Sequence, residues 1–477
     1  MTQDPENASP PTPEDEAIAS GEGNGATETN AIAQYFNFAE LKTDFRTEIL
    51  AGITTFVTMA YILVVNPGIL SNAIFLEESG DLFRELVMAT GLSAAIATLV
   101  MGLYAKYPFA LAPGMGLNAY FAFSVVLALG IDWRVALAAV FIEGLIFIIL
   151  TITNLRAKIV TLIPDCIKHA TAAGIGLFIA YIGLSGSTET GGAGLIVAYP
   201  ATITSLGDLS NPNTLMAIAG LFITSAFIAR RIKGALLWGI LATAVLGWIL
   251  RIAPPPEGLI GVPVLPVHLF GQAFVGLGEV LKINIWQLLS IIFVFFFVDL
   301  FDTVGTLTGL GIKAGYIQKN GEFPRVNRAF MADAVGTTAG AAMGTSTVTT
   351  YIESASGVSE GGRSGFSAVV AAILFALSIL FIPFLQAIPA FATAPALIIV
   401  GVLMMGSAAQ IRWDDPVESI PSFLTILIMP LSFSIADGLA AGLIAYPLMK
   451  TFQGKFHETK IGLWILAALF ILKFAMR

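Results

Sequence analysis

Charged residues are scarce in this sequence. Asp, Glu, Lys and Arg make up 12% of its 477 residues, whereas a soluble globular protein carries about 25%. Long apolar runs recur along nearly the whole chain, and 56% of the residues are hydrophobic. These features exclude an ordinary soluble domain and predict an all-α membrane protein with many spans. The alternating segments of roughly ten residues that mark a transmembrane barrel are missing.

Cysteine and histidine are almost absent. The single cysteine, Cys166, excludes an intrachain disulfide, because such a bond needs two thiols. The three histidines, His169, His268 and His457, are far apart in the sequence and show no spacing typical of a zinc or haem site. We therefore predict no metal centre and no cofactor.

Motifs for nucleotide hydrolysis are also missing. The sequence has no GxxxxGK[ST] loop, which cradles phosphates in ATP-driven proteins. The stretch "DTVGTLT", which begins at Asp302, superficially resembles the phosphorylated motif of P-type ion pumps but lacks the lysine after the aspartate. No HExxH motif and no paired histidine cluster is present, so an intramembrane enzyme is disfavoured. If the protein is a transporter, its energy therefore comes from an ion gradient, or its transport is passive.

What the sequence does contain is a long series of apolar segments. They predict fourteen membrane spans, seven on each side of a Pro-rich break, at 49–66, 86–104, 109–126, 133–154, 168–185, 213–229, 235–252, 283–301, 328–344, 347–360, 366–384, 394–409, 419–434 and 437–451. A last apolar stretch, 461–476, contains Lys473. It either crosses the membrane or lies at its surface, and the sequence does not decide between the two.

The positions of the basic residues test this count. With a cytoplasmic N-terminus, the segments predicted to face the cytoplasm hold 18 Lys and Arg residues, and those on the opposite side hold 4. Cytoplasmic loops of membrane proteins carry such an excess, and an error in the count would scramble it. We therefore predict fourteen spans with the N-terminus inside, in the plasma or inner membrane.

The span pattern divides the chain into five parts. Residues 1–37 contain seven acids and no basic residue, so we predict a disordered cytoplasmic tail. Seven-span repeats are predicted at 38–252 and 283–453, with an extracytoplasmic linker at 253–282 and a C-terminal segment at 454–477. Most of the net charge of −8 lies in the tail and therefore says nothing about a substrate.

Two of the predicted spans are interrupted. Because seven is odd, two seven-span halves must enter the membrane in opposite orientations, which is the inverted-repeat plan of secondary transporters. The third segment, "FALAPGMGLNAYFAF", and the tenth, "GTSTVTTYIESASGV", are both short and broken by Gly, Pro or small polar residues. Non-helical backbone is tolerated in a membrane only where it is buried or lines a cavity. Their corresponding positions therefore predict the substrate site.

Acids within the predicted spans are functional candidates. An ionised side chain at the bilayer centre costs at least about 2.5–3.5 kcal/mol. Asp299 and Asp302 are three residues apart and therefore share a helix face. Two carboxylates this close repel each other, and one tends to hold a proton near neutral pH. This favours proton coupling, against the alternative that one of them caps a helix or binds a backbone amide.

The two broken segments each carry one polar candidate. Glu353 is the acid of the tenth segment, and Asn118 lies in the Gly-rich stretch of the third. The symmetric placement favours a binding role for both. The alternatives are a loop residue near a membrane surface for Glu353 and a structural turn residue for Asn118.

Three further acids have competing interpretations. Glu143, in the middle of a span, either binds substrate or pairs with a polar group between helices. Asp333 follows Arg325 and Arg328, so a salt bridge or a gating role competes with binding. Asp437 is typical of a helix start and is mostly structural.

Four stretches closely resemble the adenine/guanine/hypoxanthine permease family, within the nucleobase–cation symporter class that includes the uracil permeases. They are "EILAGITTFVTMAYILVVNP", "FALAPGMGLNAYFAF", "DLFDTVGTLTGL" and "GTSTVTTYIESASGVSEGGRSG". The resemblance extends from about residue 38 to residue 453 and leaves the acidic tail outside.

This resemblance implies a fold and an activity. It implies fourteen spans as a 7+7 inverted repeat, with segments 1–4 and 8–11 in a core domain and 5–7 and 12–14 in a gate domain. The third and tenth segments would be short antiparallel strands, each leading into a half-helix. It also implies purine import by proton symport with alternating access, with Asp302, Glu353 and Asn118 at the site. Uracil permeases carry Glu where this chain has Asp302. A homodimer is common for the fold, but the sequence leaves the oligomeric state open.

The chemistry of a purine fits these residues. A purine presents ring N–H donors on flat edges, and a carboxylate accepts two such bonds side by side. The half-helix that follows Thr350 is expected to offer free backbone N–H groups. Phe56, Tyr120 and Phe121 either stack on the ring or are ordinary packing. The predicted substrate site is Glu353, Asp302, Asn118, Thr350 and Phe56, and the predicted proton-coupling residues are Asp302, Glu353 and Asp299.

Several alternatives stay open at this point. Xanthine or uracil are alternative substrates on the same fold, while an anion is disfavoured because the predicted site is acidic and carries no arginine. No nucleic-acid partner is predicted. The sequence does not rank the purines, does not decide between H⁺ and Na⁺ as the coupling ion, and does not tell which carboxylate carries the proton.

Overall fold

Helices make up most of the chain in its computed structural model. The structure describes residues 30–76, 81–153, 163–185, 193–263, 265–318 and 323–475. Most of the predicted tail, residues 1–29, lies outside the described residues, and the tail's last part contains a short helix.

The helices of the first half precede the Pro-rich break. They are α1 (Ala31–Tyr35), α2 (Phe38–Leu41), α3 (Phe45–Met59), α4 (Ile62–Leu70), α5 (Leu82–Val100), α6 (Met115–Ala119), α7 (Trp133–Ile152), α8 (Asp165–Leu184), α9 (Pro212–Ala229) and α10 (Ala235–Ile249). Wider π-helical turns extend α5 through Met101–Ala105 and α6 through Tyr120–Ala128.

The second half also combines long and short helices. Its helices are α11 (Gln272–Glu279), α12 (Ile285–Ala314), α13 (Val326–Met343), α14 (Ser354–Ser359), α15 (Gly365–Ser378), α16 (Ile382–Gln386), α17 (Ala390–Met405), α18 (Pro416–Leu431), α19 (Ile435–Phe452) and α20 (Ile461–Ala475). The strands are β1 (Leu111–Pro113), β2 (Ile196–Tyr199), β3 (Ile203–Leu206) and β4 (Val348–Thr350).

Polar side chains mark where several of these helices begin. Asp44, Asp132, Asn284, Ser364 and Asp415 precede α3, α7, α12, α15 and α18, and each accepts a hydrogen bond from a backbone N–H of the first turn. The first N–H groups of a helix have no partner within it, and a short oxygen-bearing side chain satisfies one of them. The apolar runs between these residues supply the membrane-facing and core-facing surfaces.

Eight helical stretches of the described chain are long and apolar enough to cross a bilayer. Shorter apolar helices are Met115–Ala128, Ala235–Ile249, Pro416–Leu431 and Ile461–Leu472. The chain is therefore a helical protein with several membrane-spanning segments, while the count of fourteen stays a prediction. The last apolar stretch forms α20, whose Phe470 ring lies 5.2 Å from that of Phe293 on α12.

The helix that carries two of the candidate acids is longer than the sequence indicated. The predicted segment 283–301 was too short, because α12 continues to Ala314. Gly305 and Gly309 do not end it, since a glycine costs only about 1 kcal/mol in a helix, whereas an unpaired backbone group inside a membrane costs several. Asp299 and Asp302 consequently lie in the middle of a continuous helix.

The predicted linker also contains regular structure. Within 253–282, α11 packs against α7, where Arg134 Nε donates to Gln272 Oε1 at 3.0 Å. The rings of Phe141 and Phe274 meet edge to face at 5.1 Å.

The predicted strands of the third and tenth segments are confirmed. β1 and β4 pair antiparallel with Leu111 opposite Thr350 and Pro113 opposite Val348. Two further backbone bonds extend the pairing, from Tyr351 N to Ala110 O at 3.0 Å and from Gly114 N to Thr347 O at 2.9 Å. Segments 238 residues apart thus satisfy each other's backbone, which a membrane interior requires.

One threonine on a neighbouring helix supports each of these strands. Thr98 on α5 donates to Leu111 O at 3.0 Å and accepts from Leu111 N at 2.9 Å. Thr337 on α13 donates to Val348 O at 3.0 Å and accepts from Val348 N at 3.2 Å. The same arrangement therefore occurs once in each half of the chain.

Candidate functional site

Glu353 lies immediately before α14 and is half-buried. The phenol of Tyr61, which sits between α3 and α4 and is fully buried, donates to Glu353 Oε1 at 2.7 Å. Thr58 approaches the backbone carbonyl of Glu353 at 3.4 Å. The first span of the chain therefore packs on the tenth segment and fixes its acid.

Asp302 is brought to the same place by α12. Its polar neighbours are Thr349 on β4 and the acids Asp333 and Glu353. Tyr351 lies in the field of both Glu353 and Asp302, and its phenol donates to Pro113 O at 2.5 Å. Asp302 and Glu353 therefore both lie beside the strand pair, and their role as site residues stays a prediction.

A second pair of acids surrounds the hydroxyl of Thr303. Thr303 Oγ1 lies 3.3 Å from Asp299 Oδ1, 3.0 Å from each carboxylate oxygen of Asp333 and 3.1 Å from Thr349 Oγ1. Asp299, Thr303 and Asp333 are all fully buried. A hydroxyl has one proton to donate, so Thr303 bonds one acid at a time and links two spans to β4.

Asn118 and Thr350 present buried polar atoms without a hydrogen-bond partner among the described residues. Neither amide atom of Asn118, on α6, has a partner, and Asn118 is fully buried. The Thr350 hydroxyl is 2% exposed and is likewise without a partner in the described part of the chain. Such atoms cost about 1–3 kcal/mol each when left unpaired, so both side chains are suited to bind a ligand.

The predicted donors at the start of the tenth half-helix are mostly occupied. The N–H groups of Tyr351, Ser354 and Ala355 bond to carbonyl oxygens of Ala110, Tyr351 and Ile352. The prediction of free donors there is wrong for these three groups. The strand pairing takes up the first of these donors, and the turn that leads from β4 into α14 takes up the other two with its own carbonyls.

The aromatic candidates pack against other rings. Phe56, on α3, meets Phe375 edge to face at 5.1 Å and is partly buried. Tyr120 meets Phe295 edge to face at 4.8 Å. Phe121 is fully buried in the apolar core. Stacking of Phe56 on a base stays a prediction.

The other acids have structural partners. Thr347 donates to Glu143 Oε2 at 3.0 Å, which fixes the turn before β4 from α7. Arg325 and Arg328 are the basic residues that precede Asp333 in the sequence. Their guanidinium groups lie over the rings of Tyr107 and Tyr104, at 5.0 and 5.6 Å from the ring centroids.

Asp437 lies in the first turn of α19, as predicted. Its N–H donates to Ser434 Oγ at 3.1 Å.

A family comparison decides what kind of protein carries this site. The sequence model for xanthine/uracil permeases, described as the permease family, matches residues 46–440. The chain belongs to this permease family. The permease is 44% identical to the guanine/hypoxanthine permease PbuG of Bacillus subtilis over 448 residues, covering 92% of this chain and 98% of PbuG. It is 41% identical to the adenine permease AdeP of Escherichia coli over 449 residues, covering 93% and 95%.

These matches confirm the resemblance read from the four sequence stretches. The matched relatives are permeases rather than enzymes. Among solved structures, the permease is similar to the transmembrane domain of the cyanobacterial bicarbonate transporter BicA. The TM-score is 0.58 at 16% identity, covering 83% of this chain and 97% of that domain. At this identity the similarity concerns the fold alone.

Sequence reasoning missed the hydroxyl partners of the acids. Tyr61 lies in an otherwise apolar run, and Thr303 directly follows Asp302. A systematic search for polar residues inside apolar segments would have flagged both. Within the described residues, no group of three or more His, Cys, Asp and Glu is placed to hold a metal ion.

Proposed function

We propose that this permease imports the purine nucleobases adenine, guanine and hypoxanthine by proton symport with alternating access. One observation carries the proposal: Asp302 and Glu353 lie together beside the antiparallel strand pair. PbuG and AdeP match nearly the whole chain, and the purines in their names support a purine as the substrate.

The base would lie between the two carboxylates with its flat edge toward them. Ring N–H groups donate to Asp302 and Glu353, and a carboxylate accepts two parallel bonds of this kind. The amide of Asn118 and the hydroxyl of Thr350, which have no hydrogen-bond partner among the described residues, complete the hydrogen bonds to exocyclic atoms. Phe56 contributes the apolar face.

The coupling proton belongs to the same group of acids. Asp302, Glu353 and Asp299 are the candidates, and Thr303 joins Asp299 to Asp333 and β4. Close carboxylates in a buried site repel unless one takes up a proton. Binding of a proton and binding of a base would therefore favour each other.

The architecture proposed for this transport is fourteen spans as a 7+7 inverted repeat with core and gate domains. The paired threonines Thr98 and Thr337 support it, because each serves the strand of its own half. Gly176 on α8 and Gly401 on α17 also support it. A Cβ on Gly176 would lie 2.9 Å from Gly401 O, so the fifth and twelfth predicted spans cross closely through small residues. We place the N-terminus in the cytoplasm and the protein in the plasma or inner membrane.

Uptake of radiolabelled hypoxanthine by cells that lack their own purine permeases tests the proposal. We expect saturable uptake that a protonophore abolishes and that excess adenine or guanine inhibits. Uptake that ignores the protonophore, or none at any pH, would contradict proton-coupled purine import. Competition by uracil or xanthine alone would favour the alternative substrates.

Replacement of the site acid tests the binding mode. Glu353→Gln should lower uptake at least about tenfold, because bonds to an ionised group contribute about 1.5–3 kcal/mol. Glu279→Gln, an exposed acid of α11 that pairs with Lys282 at 2.9 Å, serves as the matched control. Normal uptake by Glu353→Gln would remove Glu353 from the site.

A further inference from the structure

A cavity of about 400 Å³ lies at the start of α12, apart from the two site carboxylates. Its walls are the π-helical extension of α6, the first turns of α12, the start of α19 and the last turns of α20. Asn284, which caps α12, and Ser434, which caps α19, both line it. In the proposed topology both helix starts face the outside, so the cavity is on the outer side of the site.

The lining combines flat rings with a few polar groups. Tyr120 and Trp286 supply rings, and Gln287, Ser434 and Asp437 supply an amide, a hydroxyl and a carboxyl group. Tyr120 is 1% exposed and is fixed edge to face on Phe295. Tyr120, on the extension of α6, and Asp437, in the first turn of α19, line the same cavity.

This lining suits a planar heterocycle with N–H donors. Ligand sites are typically clefts of about 300–1,000 Å³, mostly apolar with a few placed polar groups. The carboxyl group of Asp437 and the amide of Gln287 accept N–H bonds, and an aromatic ring gains from a ring partner.

The cavity and the candidate site share one helical segment. Asn118 is near the beginning of α6, and Tyr120 begins its extension two residues later. Ser124, further along, donates to Phe433 O at 2.8 Å and joins this segment to the α18–α19 connection. A base leaving the cavity along this segment would pass Tyr120 and then reach Asn118.

We propose that this cavity is a second, outer binding site for a purine base, occupied before the base reaches Asp302 and Glu353. The inference rests on the proposed function and adds a site to it. Trp286 and Gln287 contact the base in the cavity, and Tyr120 marks the passage between the two sites.

Counting bound hypoxanthine on the purified protein tests the second site. Equilibrium binding of radiolabelled hypoxanthine should give two molecules per chain for the unaltered protein and one for Glu353→Gln. Combining Trp286→Ala with Gln287→Leu should also leave one. Trp238→Ala, which changes a similarly exposed ring on α10, should still bind two.

Transport kinetics of single variants give an independent test, which still applies if the double variant of Trp286 and Gln287 folds poorly. Trp286→Leu and Gln287→Leu, made singly, should raise the KM for uptake about two- to tenfold, the range expected for one ring contact or hydrogen bond, at an unchanged maximal rate. A single binding event in the unaltered protein that Glu353→Gln abolishes would overturn the outer site and leave the proposed function standing. A co-purified lipid in the cavity that hypoxanthine does not displace would also overturn it. Failure of hypoxanthine to bind or enter at all would instead contradict the proposed function.

Discussion

At the residue scale, hydroxyl groups accompany the buried acids. Tyr61 bonds Glu353, Thr303 lies between Asp299 and Asp333, and Thr347 bonds Glu143. A basic partner would keep an acid ionised permanently, since a buried ion pair is costly to break. A hydroxyl donates to an ionised carboxylate and accepts from a protonated carboxyl group, so it is compatible with both protonation states of the acid.

Loss of the Tyr61 phenol should weaken binding at the site. In Tyr61→Phe, Glu353 loses its 2.7 Å donor, and we expect the KM for hypoxanthine uptake to rise about tenfold because the orientation of the carboxylate is lost. Tyr35→Phe is the matched control, since the exposed Tyr35 phenol donates to the backbone carbonyl of Leu103 at 2.8 Å and contacts neither site acid. Equal KM values for both variants would argue against a role of Tyr61 in positioning Glu353.

Removing the hydroxyl of Thr303 should affect coupling more than binding. Thr303→Val keeps the shape but removes the group that joins Asp299, Asp333 and Thr349, so we expect proton-driven accumulation to fall at least about tenfold. Equilibrium binding of hypoxanthine should persist.

Two controls accompany this experiment. Thr303→Ser should retain accumulation because it keeps the hydroxyl. Thr308→Val, on the same helix, removes only a bond to Val304 O at 2.7 Å and should be neutral. Full accumulation by Thr303→Val would show that the proton path does not use this link.

The acids themselves were predictable, but their partners were not. A carboxylate in an apolar segment stands out in the sequence because burial of charge is costly. The partner of Glu353 is 292 positions away in the chain, and no local pattern links Tyr61 to it. The grouping at the strand pair came from family resemblance, whereas the Thr303 link became visible only once α12, α13 and β4 were placed together.

At the element scale, long segments were predictable and their exact lengths were not. Apolar runs located the helices because membrane spans need about 20 apolar residues. The extension of α12 past residue 301 was missed, since glycines and threonines look like an end in the sequence although backbone hydrogen bonding continues through them. Strands of three residues carry no alternation that could reveal them, so only the resemblance predicted β1 and β4.

The start of α15 depends on a carboxylate from α3. Glu48 is fully buried and accepts bonds from the N–H groups of Arg363 at 2.9 Å, Ser364 at 3.0 Å and Ser367 at 3.2 Å. The Ser367 hydroxyl also donates to it. An acid at a helix start is favourable for the helix dipole, and this one joins the first span to the segment after α14.

Removal of this cap should destabilise the protein. Glu48→Ala removes the acceptor of three N–H donors, two of them on the buried residues Ser364 and Ser367, which should cost about 3 kcal/mol or more. We expect a lower midpoint of thermal unfolding for the detergent-purified protein at a fixed scan rate. Glu48→Gln keeps one acceptor oxygen, so its unfolding midpoint should lie between those of Glu48→Ala and the unaltered protein. Glu40 is an exposed acid of α2, and Glu40→Ala should have the same midpoint as the unaltered protein. An unchanged midpoint for Glu48→Ala would show that the cap is dispensable.

At the scale of the whole molecule, contacts close one side and a cavity remains on the other. Lys233, between α9 and α10, forms an ion pair with Glu360, which directly follows α14. The adjacent Gly234 has a φ of +70° and packs so closely on α3 that a Cβ would lie 2.8 Å from Val57 Cγ1. In the proposed topology, both contacts join the proposed gate to the proposed core on the cytoplasmic side, and the cavity beside Tyr120 lies on the outer side. A transporter with alternating access would have to break the inner contacts to release its substrate.

Exchanging the charges of the Lys233–Glu360 pair tests whether it holds the inner side closed. Lys233→Glu alone and Glu360→Lys alone place like charges together, and we expect each to lower uptake about two- to fivefold, because a partly exposed pair contributes up to about 1 kcal/mol. The double variant restores an ion pair of opposite polarity and should recover most of the uptake. Raising the salt concentration should reduce the difference between the single variants and the unaltered protein, since salt screens exposed charges. Additive losses in the double variant would instead show that each residue acts through other neighbours, and the closed inner side would then rest on the packing of Gly234 against Val57.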